Sequence, residues 1–187
     1  REIRLWSSLK HQNIIPFLGV CFFPTGDPAS DAFFSLVSPW MRNGTSCEYI
    51  ASHSDVDKIA MFLGAAEGLL YLHETGIVHG DLKGSNILIN ENGQPVLADF
   101  GLARLSNPDG AFASDRLTSS SSLLSGTCRW TAPELINEPD LYPGPTIPSD
   151  VWSFGCVMLE LLFQKVPYFH RRQSVLVIIA IMRGELP

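Results

Sequence analysis

Within eight residues, His79-Gly80-Asp81-Leu82-Lys83-Gly84-Ser85-Asn86, the chain places a carboxylate, an ammonium group and an amide close together. Asp99-Phe100-Gly101 and Ala132-Pro133-Glu134 follow in that order. Phosphoryl transfer needs such a series: one carboxylate to hold the acceptor hydroxyl, then an amide and a second carboxylate to hold magnesium. Mg²⁺ takes hard oxygen ligands, which Asn86 and Asp99 carry.

Groups so far apart in sequence meet only if folded elements bring them together, and the residue pattern predicts those elements. Ile3, Leu5, Trp6 and Leu9 recur at helical spacing, with His11-Gln12-Asn13 ending the helix. Apolar runs over 14–21 and 32–37 read as two strands joined by the turn-rich Pro24-Thr25-Gly26-Asp27-Pro28. Pro39 and Asn43-Gly44 mark a linker, after which the composition turns helical. A long amphipathic helix is predicted over 57–73, its apolar stripe being Ile59, Phe62, Leu63, Ala66, Leu69 and Leu70. Ser54 with Asp57 resembles a capping box at its start. Ile87-Leu88-Ile89, Asn92-Gly93 and Val96-Leu97 read as a tight hairpin. The Ser-rich stretch 106–125 reads as a long mobile loop. Ser149 is placed to cap a very apolar helix over 150–163, expected at the centre of the molecule, and a last helix over 173–183 stops at Gly184.

The 187 residues are 45% hydrophobic and 17% charged, which suits one globular unit with a substantial core. A net charge of −6 argues against a broad nucleic-acid surface. Cys21, Cys47, Cys128 and Cys156 form no CxxC pair, so they read as reduced thiols of a cytoplasmic, intracellular protein. The longest apolar stretches, 151–163 and 175–182, are too short to span a bilayer. No signal segment opens the chain, which starts mid-helix by pattern, and it is expected to be a fragment.

Asp-x-Lys-x-x-Asn at 81–86, the short hairpin, Asp-Phe-Gly at 99–101, Gly-Thr-x-x-Trp-x-Ala-Pro-Glu at 126–134 and Asp-Val-Trp-Ser-Phe-Gly at 150–155 stand in sequence. In this the chain resembles the protein kinase superfamily over essentially its whole length, from the middle of helix C to helix G, and the tyrosine-kinase-like Ser/Thr group, fungal members included, in particular. The resemblance implies a catalytic role for Asp81, which would align the acceptor hydroxyl with the γ-phosphorus. It implies that Lys83 neutralises the γ-phosphate and touches Thr127, favouring Ser/Thr acceptors, and that Asn86 and Asp99 bind magnesium. Ser38 takes the gatekeeper position. The Pro39 carbonyl and the Met41 N–H would bond the adenine edge, with Leu88 as the floor beneath it; a plain core leucine is the other reading of Leu88. Trp6, Phe17, His79 and Phe100 take the stacked positions that link the lobes, and Asp150 would cap the backbone of the catalytic loop. Most members carry arginine at position 80, where it receives a phosphorylated loop. Gly80 offers no cation, so control by that route is not expected. Glu2 aligns with the glutamate whose partner lysine lies on an upstream strand absent from these residues, and it reads as a solvated charge.

The implied fold is α+β, protein kinase-like, with a partial small lobe and a mostly helical large lobe. Residues 1–37 would be the remnant of the small lobe (the end of helix C and the fourth and fifth strands), 38–44 the hinge, and 45–187 the large lobe cut after helix G. The implied reaction is ATP- and Mg²⁺-dependent phosphoryl transfer to Ser or Thr of a protein substrate, with no nucleic-acid or membrane partner. The isolated chain is expected to be inactive, because the glycine-rich loop and its lysine are missing. A non-catalytic kinase-fold interaction module is the alternative.

Overall fold

The computed structural model describes residues 5–23, 33–99, 104–105, 127–141 and 144–187. Among these the strands pair as three antiparallel ribbons and the rest is largely helical, an α+β arrangement. Strand β1 (Gly19–Phe23) pairs with β2 (Phe33–Val37) in the register Gly19 opposite Val37. Helices α1 (Ser46–Ser52) and α2 (Lys58–Glu74) follow. Strand β3 (Ile77–Val78) pairs with β6 (Arg104–Leu105), and β4 (Ile87–Ile89) with β5 (Pro95–Leu97). Helices α3 (Pro133–Asn137), α4 (Ile147–Phe163) and α5 (Ser174–Met182) complete the order. No helix among the described residues is long and apolar enough to cross a membrane.

The first predicted strand begins later than expected. Residues 14–18 stay outside β1, because Pro16 has no N–H for a ladder. Instead the segment runs beside β5: Leu97 N–H donates to Asn13 O at 2.8 Å, and Ile15 N–H to Leu97 O at 2.9 Å. The first helix also ends early: Leu5 and Trp6 are helical, and Ser8 and Leu9 close turns onto them.

Helix α2 has the expected bounds but a different buried face and cap. Asp57 is itself the N-cap, its carboxylate accepting from Ile59 and Ala60 N–H, with no part for Ser54. Phe62 and Leu69 are buried, but Ile59, Leu63 and Leu70 are 64%, 61% and 56% exposed. The inward face is completed by Met61, Ala65, Gly68 and Leu72. Close approach decides this. A Cβ on Gly64 would lie 2.8 Å from Pro95 Cγ, and one on Gly68 would lie 2.7 Å from Asn13 O. The helix touches the 13–15 and β5 layer through its glycines, which a search for apolar side chains cannot find.

Helix α4 starts three residues before Asp150, with Thr146 as N-cap and Ser149 as its partner in a capping box rather than as the cap. The helix is not buried all round: Cys156, Val157 and Leu161 face inward, whereas Val151 and Phe163 are exposed. The hairpin, the last helix and the glycine after it match expectation. Gly184 has φ +73° just past α5.

One core runs from Trp6 and Ile14 through Phe62, Leu72 and Leu97 to Val157. Each fully buried aliphatic side chain there contributes roughly 1.5–3 kcal/mol. A second core joins Cys128, Tyr168 and α5 through Val177, Ala180 and Ile181.

Candidate active site

The loop after β3 is held by a carboxylate from another element. Asp150, in the first turn of α4, accepts His79 N–H at 2.8 Å and Gly80 N–H at 2.9 Å. His73, near the end of α2, donates from Nε2 to Asp150 Oδ2 at 2.9 Å. His79 is fully buried. Its Nδ1 receives Asp81 N–H at 3.3 Å, so Nε2 carries the proton given to Ala98 O at 3.0 Å. Burial lowers the His79 pKa, and the nearby carboxylates only partly oppose this. Gly80 adopts φ +82°, a conformation that a Cβ would strain.

Downstream of this clamp three predicted residues meet. Asp81 Oδ2 receives Lys83 Nζ at 2.7 Å and Asn86 Nδ2 at 2.9 Å. Asp81 Oδ1 is buried and has no partner among the described residues. The carboxylate is thus oriented through one oxygen and leaves the other as an acceptor. Asn86 Nδ2 also donates to Asp81 O at 2.8 Å, which turns its amide oxygen away from Asp81. Lys83 Nζ reaches Thr127 Oγ1 at 3.4 Å. A cleft of about 30 Å³, bounded by Asp81, Thr127, Trp130 and Thr131, opens beside Asp81. That is room for one small polar group.

Asp99 arrives from β5. Ala98 N–H donates to Asn86 O at 2.9 Å, so Asp99 emerges next to Asn86, exposed and with φ +63°. Asp is among the few residues that tolerate this region. Asn86 and Asp99 make a hard oxygen pair. Among the described residues no trio of His, Cys, Asp or Glu gathers as a closed metal site would require. Such a pair fits Mg²⁺, which uses one or two protein ligands and completes its shell with phosphate and water.

On the opposite side of β4, Gly44 N–H donates to Met41 O at 3.1 Å and Ile89 N–H to Gly44 O at 2.9 Å. Thr45 bridges Leu88, and Thr45 and Glu48 form the capping box of α1. Met41 and Leu88 are half-buried and pack against the main core. Pro39 stands half-buried before this turn, outside the hydrogen-bonded cluster. Trp6 and Phe17 pack with ring centroids 5.2 Å apart and planes tilted by 54°. Glu2, Phe100, Gly101, Gly126 and the stretch 106–125 lie outside the described residues.

Sequence reasoning missed the residues that bind the loop containing Asp81 to the 127–130 segment. Glu160 Oε2 accepts Gly84 N–H at 2.9 Å and Trp130 Nε1–H at 3.0 Å. Ser153 Oγ donates to Trp130 O at 2.7 Å. Ser46 Oγ donates to Gly84 O at 2.8 Å. Arg129 spends its guanidinium on the carbonyls of Pro167, Tyr168 and Arg171. Two of these residues left a trace: Ser153 and Glu160 are the polar interruptions of an otherwise apolar helix. Burial, and then the Glu160 charge, push the Cys47 thiol up to about 12; the same causes put Cys156 at about 12. Both stay protonated thiols.

Comparison with known proteins adds independent findings. The family described as "Protein kinase domain" matches residues 1–185. The chain is similar to "Mitogen-activated protein kinase kinase kinase 1" of Arabidopsis thaliana, 34% identical over 188 residues, covering 100% of this chain and 28% of that protein. It is similar to "Serine/threonine-protein kinase STY46" of Arabidopsis thaliana, 30% identical over 191 residues, covering 100% of this chain and 30% of that protein. "Cytokinesis protein sepH" of Aspergillus niger is 35% identical over 174 residues, 90% of this chain and 11% of that protein. The chain therefore spans less than a third of the length of these relatives.

Proposed function

The chain belongs to the protein kinase family, and on that premise we propose that it carries the phosphate-transfer half of an ATP-dependent Ser/Thr kinase domain. The observation that carries the reading is Asp81: one carboxylate oxygen is fixed by Lys83 and Asn86, and the other is buried without a partner among the described residues. A buried acceptor without a donor costs roughly 1–3 kcal/mol. A substrate hydroxyl entering the cleft beside it relieves that cost and is thereby aimed. Asp81 takes the hydroxyl proton as the oxygen attacks the γ-phosphorus of ATP and the bond from that phosphorus to the bridging oxygen breaks, releasing ADP. Lys83, held between Asp81 and Thr127, places its charge where the transferred phosphate develops negative charge. Asn86 and Asp99 would hold magnesium, which when bound supplies charge stabilisation for the phosphate oxygens. The Pro39 carbonyl, the Met41 N–H and Leu88 would receive the adenine.

The contact between Lys83 and Thr127 and the names of the relatives favour Ser/Thr over Tyr as acceptor. The domain division at 1–37, 38–44 and 45–187 belongs to the same reading, as does a cytoplasmic location. The tests are phosphosite mapping on a peptide library and nucleotide binding. Asp81→Asn abolishes turnover and leaves ATP binding nearly intact, whereas Asp99→Asn weakens the magnesium-dependent part of binding. Predominant phosphotyrosine, or full turnover by Asp81→Asn, overturns the assignment. Activity persists after phosphatase treatment, because Gly80 has no cation to receive a phosphate.

The alternative reading is a non-catalytic kinase-fold interaction module. The 187 residues contain no glycine-rich loop and no Val-Ala-x-Lys strand. The chain by itself is therefore expected to turn over far below the ~1 s⁻¹ of ordinary kinases and to bind Mg-ATP more weakly than roughly 1 mM. Micromolar binding by the isolated chain contradicts this.

A further inference from the structure

We propose that the exposed face of helix α5 is a contact surface for an anionic lipid membrane, on which the helix lies flat without crossing it. The surface shares no residue with the cleft beside Asp81. The expectation of no membrane partner rests on the length of the apolar stretches, and length bears only on spanning. The nine residues of α5 fall far short of a bilayer core, but a helix lying in the interface has no such minimum.

After Ser174, α5 reads Val-Leu-Val-Ile-Ile-Ala-Ile-Met, with no polar side chain. A helix on the surface turns only one side to the core. Here that side is Val177, Ala180 and Ile181, which cluster with Cys128, Tyr168 and Ile136 of α3. The opposite side carries Val175, Ile179 and Met182 at i, i+4 and i+7, with Leu176 beside them, all exposed. Val175 and Met182 are 58% and 57% exposed, and Leu186, past Gly184, is 75% exposed. Polar residues ordinarily occupy such a face. A row of aliphatic side chains in their place marks an interaction surface.

Charge selects the occupant. Arg172 is exposed just before the first turn of α5. Arg183 is exposed at its other end, four residues after Ile179 and so on the same side. The neighbouring carboxylate, Glu185, is paired with Arg171. In the segment entering α5, Lys165 Nζ lies 4.4 Å over the ring of exposed Phe169. Residues 164–187 hold four of the 13 Lys and Arg but one of the 19 Asp and Glu, a net +3 against −9 for the rest of the chain. An anionic surface therefore attracts this end and repels the remainder, which orients the molecule as well as holding it. Aliphatic side chains enter the acyl boundary while the guanidinium groups stay at the headgroup phosphates. A lipid surface receives such a row without a shape-matched pocket.

The test is flotation of the chain with vesicles, which needs no phosphate transfer, so failure here and failure of the proposed function are distinguishable. Vesicles of phosphatidylcholine alone are compared with vesicles containing about 30% phosphatidylserine. We expect flotation with the anionic vesicles only, lost as NaCl rises from about 0.1 to 0.5 M. Hydrogen exchange should show added protection over 174–186. The double variant Val175→Ser, Met182→Ser and the double variant Arg172→Glu, Arg183→Glu, all at exposed positions, should each weaken partitioning at least about tenfold. The comparison of the two vesicle types uses the unaltered chain and so decides the matter whether or not a variant folds. No flotation with anionic vesicles, or equal flotation with both, overturns the proposal. Full binding by Val175→Ser, Met182→Ser reduces it to diffuse charge attraction and overturns it equally. Self-association through 174–186, or capture of a soluble protein by α5 with no flotation, assigns the face to protein and also overturns it.

Discussion

Replacing Asp150 with Asn should destabilise the protein by about 2–4 kcal/mol, and the amount follows from where its two oxygens go. Oδ2 accepts His79 N–H at 2.8 Å and His73 Nε2–H at 2.9 Å, and Oδ1 accepts Gly80 N–H at 2.9 Å. The side chain is 1% exposed, so water cannot take over and screening does not discount the effect. Asparagine keeps one oxygen. Placed toward His79 and His73, it turns an NH₂ against Gly80 N–H and loses one charge-assisted bond, worth roughly 1.5–3 kcal/mol. The two remaining bonds fall from charged to neutral strength, which adds about 1 kcal/mol more. The opposite amide orientation loses two bonds and costs more. Such a loss is a large fraction of the ~5–15 kcal/mol that holds a domain together. Urea unfolding followed by tryptophan fluorescence measures the global cost. Native-state exchange of the Gly80 amide measures the local one, with an increase of roughly 30-fold or more expected. A change below about 0.5 kcal/mol with an unaltered Gly80 amide would refute the clamp.

Gly68→Ala should lower the melting temperature, although alanine is the better helix former by about 1 kcal/mol. Its Cβ would sit 2.7 Å from the backbone oxygen of Asn13, and overpacking of that kind costs roughly 1–3 kcal/mol. Stability should also fall as pH drops below 6.5, the ordinary histidine value. There the unfolded chain binds a proton that buried His79, with its lowered pKa, refuses. Unfolding titrations from pH 8 to 5 should show this slope, and His79→Gln should flatten it. Cys47 and Cys156, with pKa values of about 12, should resist iodoacetamide at pH 8 in the folded protein and react in urea. Mass spectrometry of the labelled peptides reads the difference.

Local chemistry made much of this protein legible in its sequence. The spacing of Asp81, Lys83 and Asn86 is short enough that one loop brings them together, and the Asn92-Gly93 turn specifies its hairpin by backbone conformation alone. Asp150 was foreseen as a cap because the resemblance supplied its partner. Tertiary packing decided what local pattern could not. Helix α2 has apolar residues on several sides, and the stripe that periodicity picks out, with Ile59, Leu63 and Leu70, is only partly the buried one. The close approach of Asn13 and Pro95 to Gly64 and Gly68 turned the glycine-bearing face inward instead. Asn13 and Ile15 joined β5 because Pro16 could not continue a ladder and the N–H and C=O of Leu97 bond Asn13 and Ile15. The helix α4 followed the same logic. Its sequence shows Ser153 and Glu160 only as interruptions, whereas the fold makes Ser153 a donor to Trp130 O and Glu160 the acceptor that holds Trp130 and Gly84. A hydrogen bond over 76 residues has no periodicity to announce it, since its geometry exists only once both elements rest on the same core.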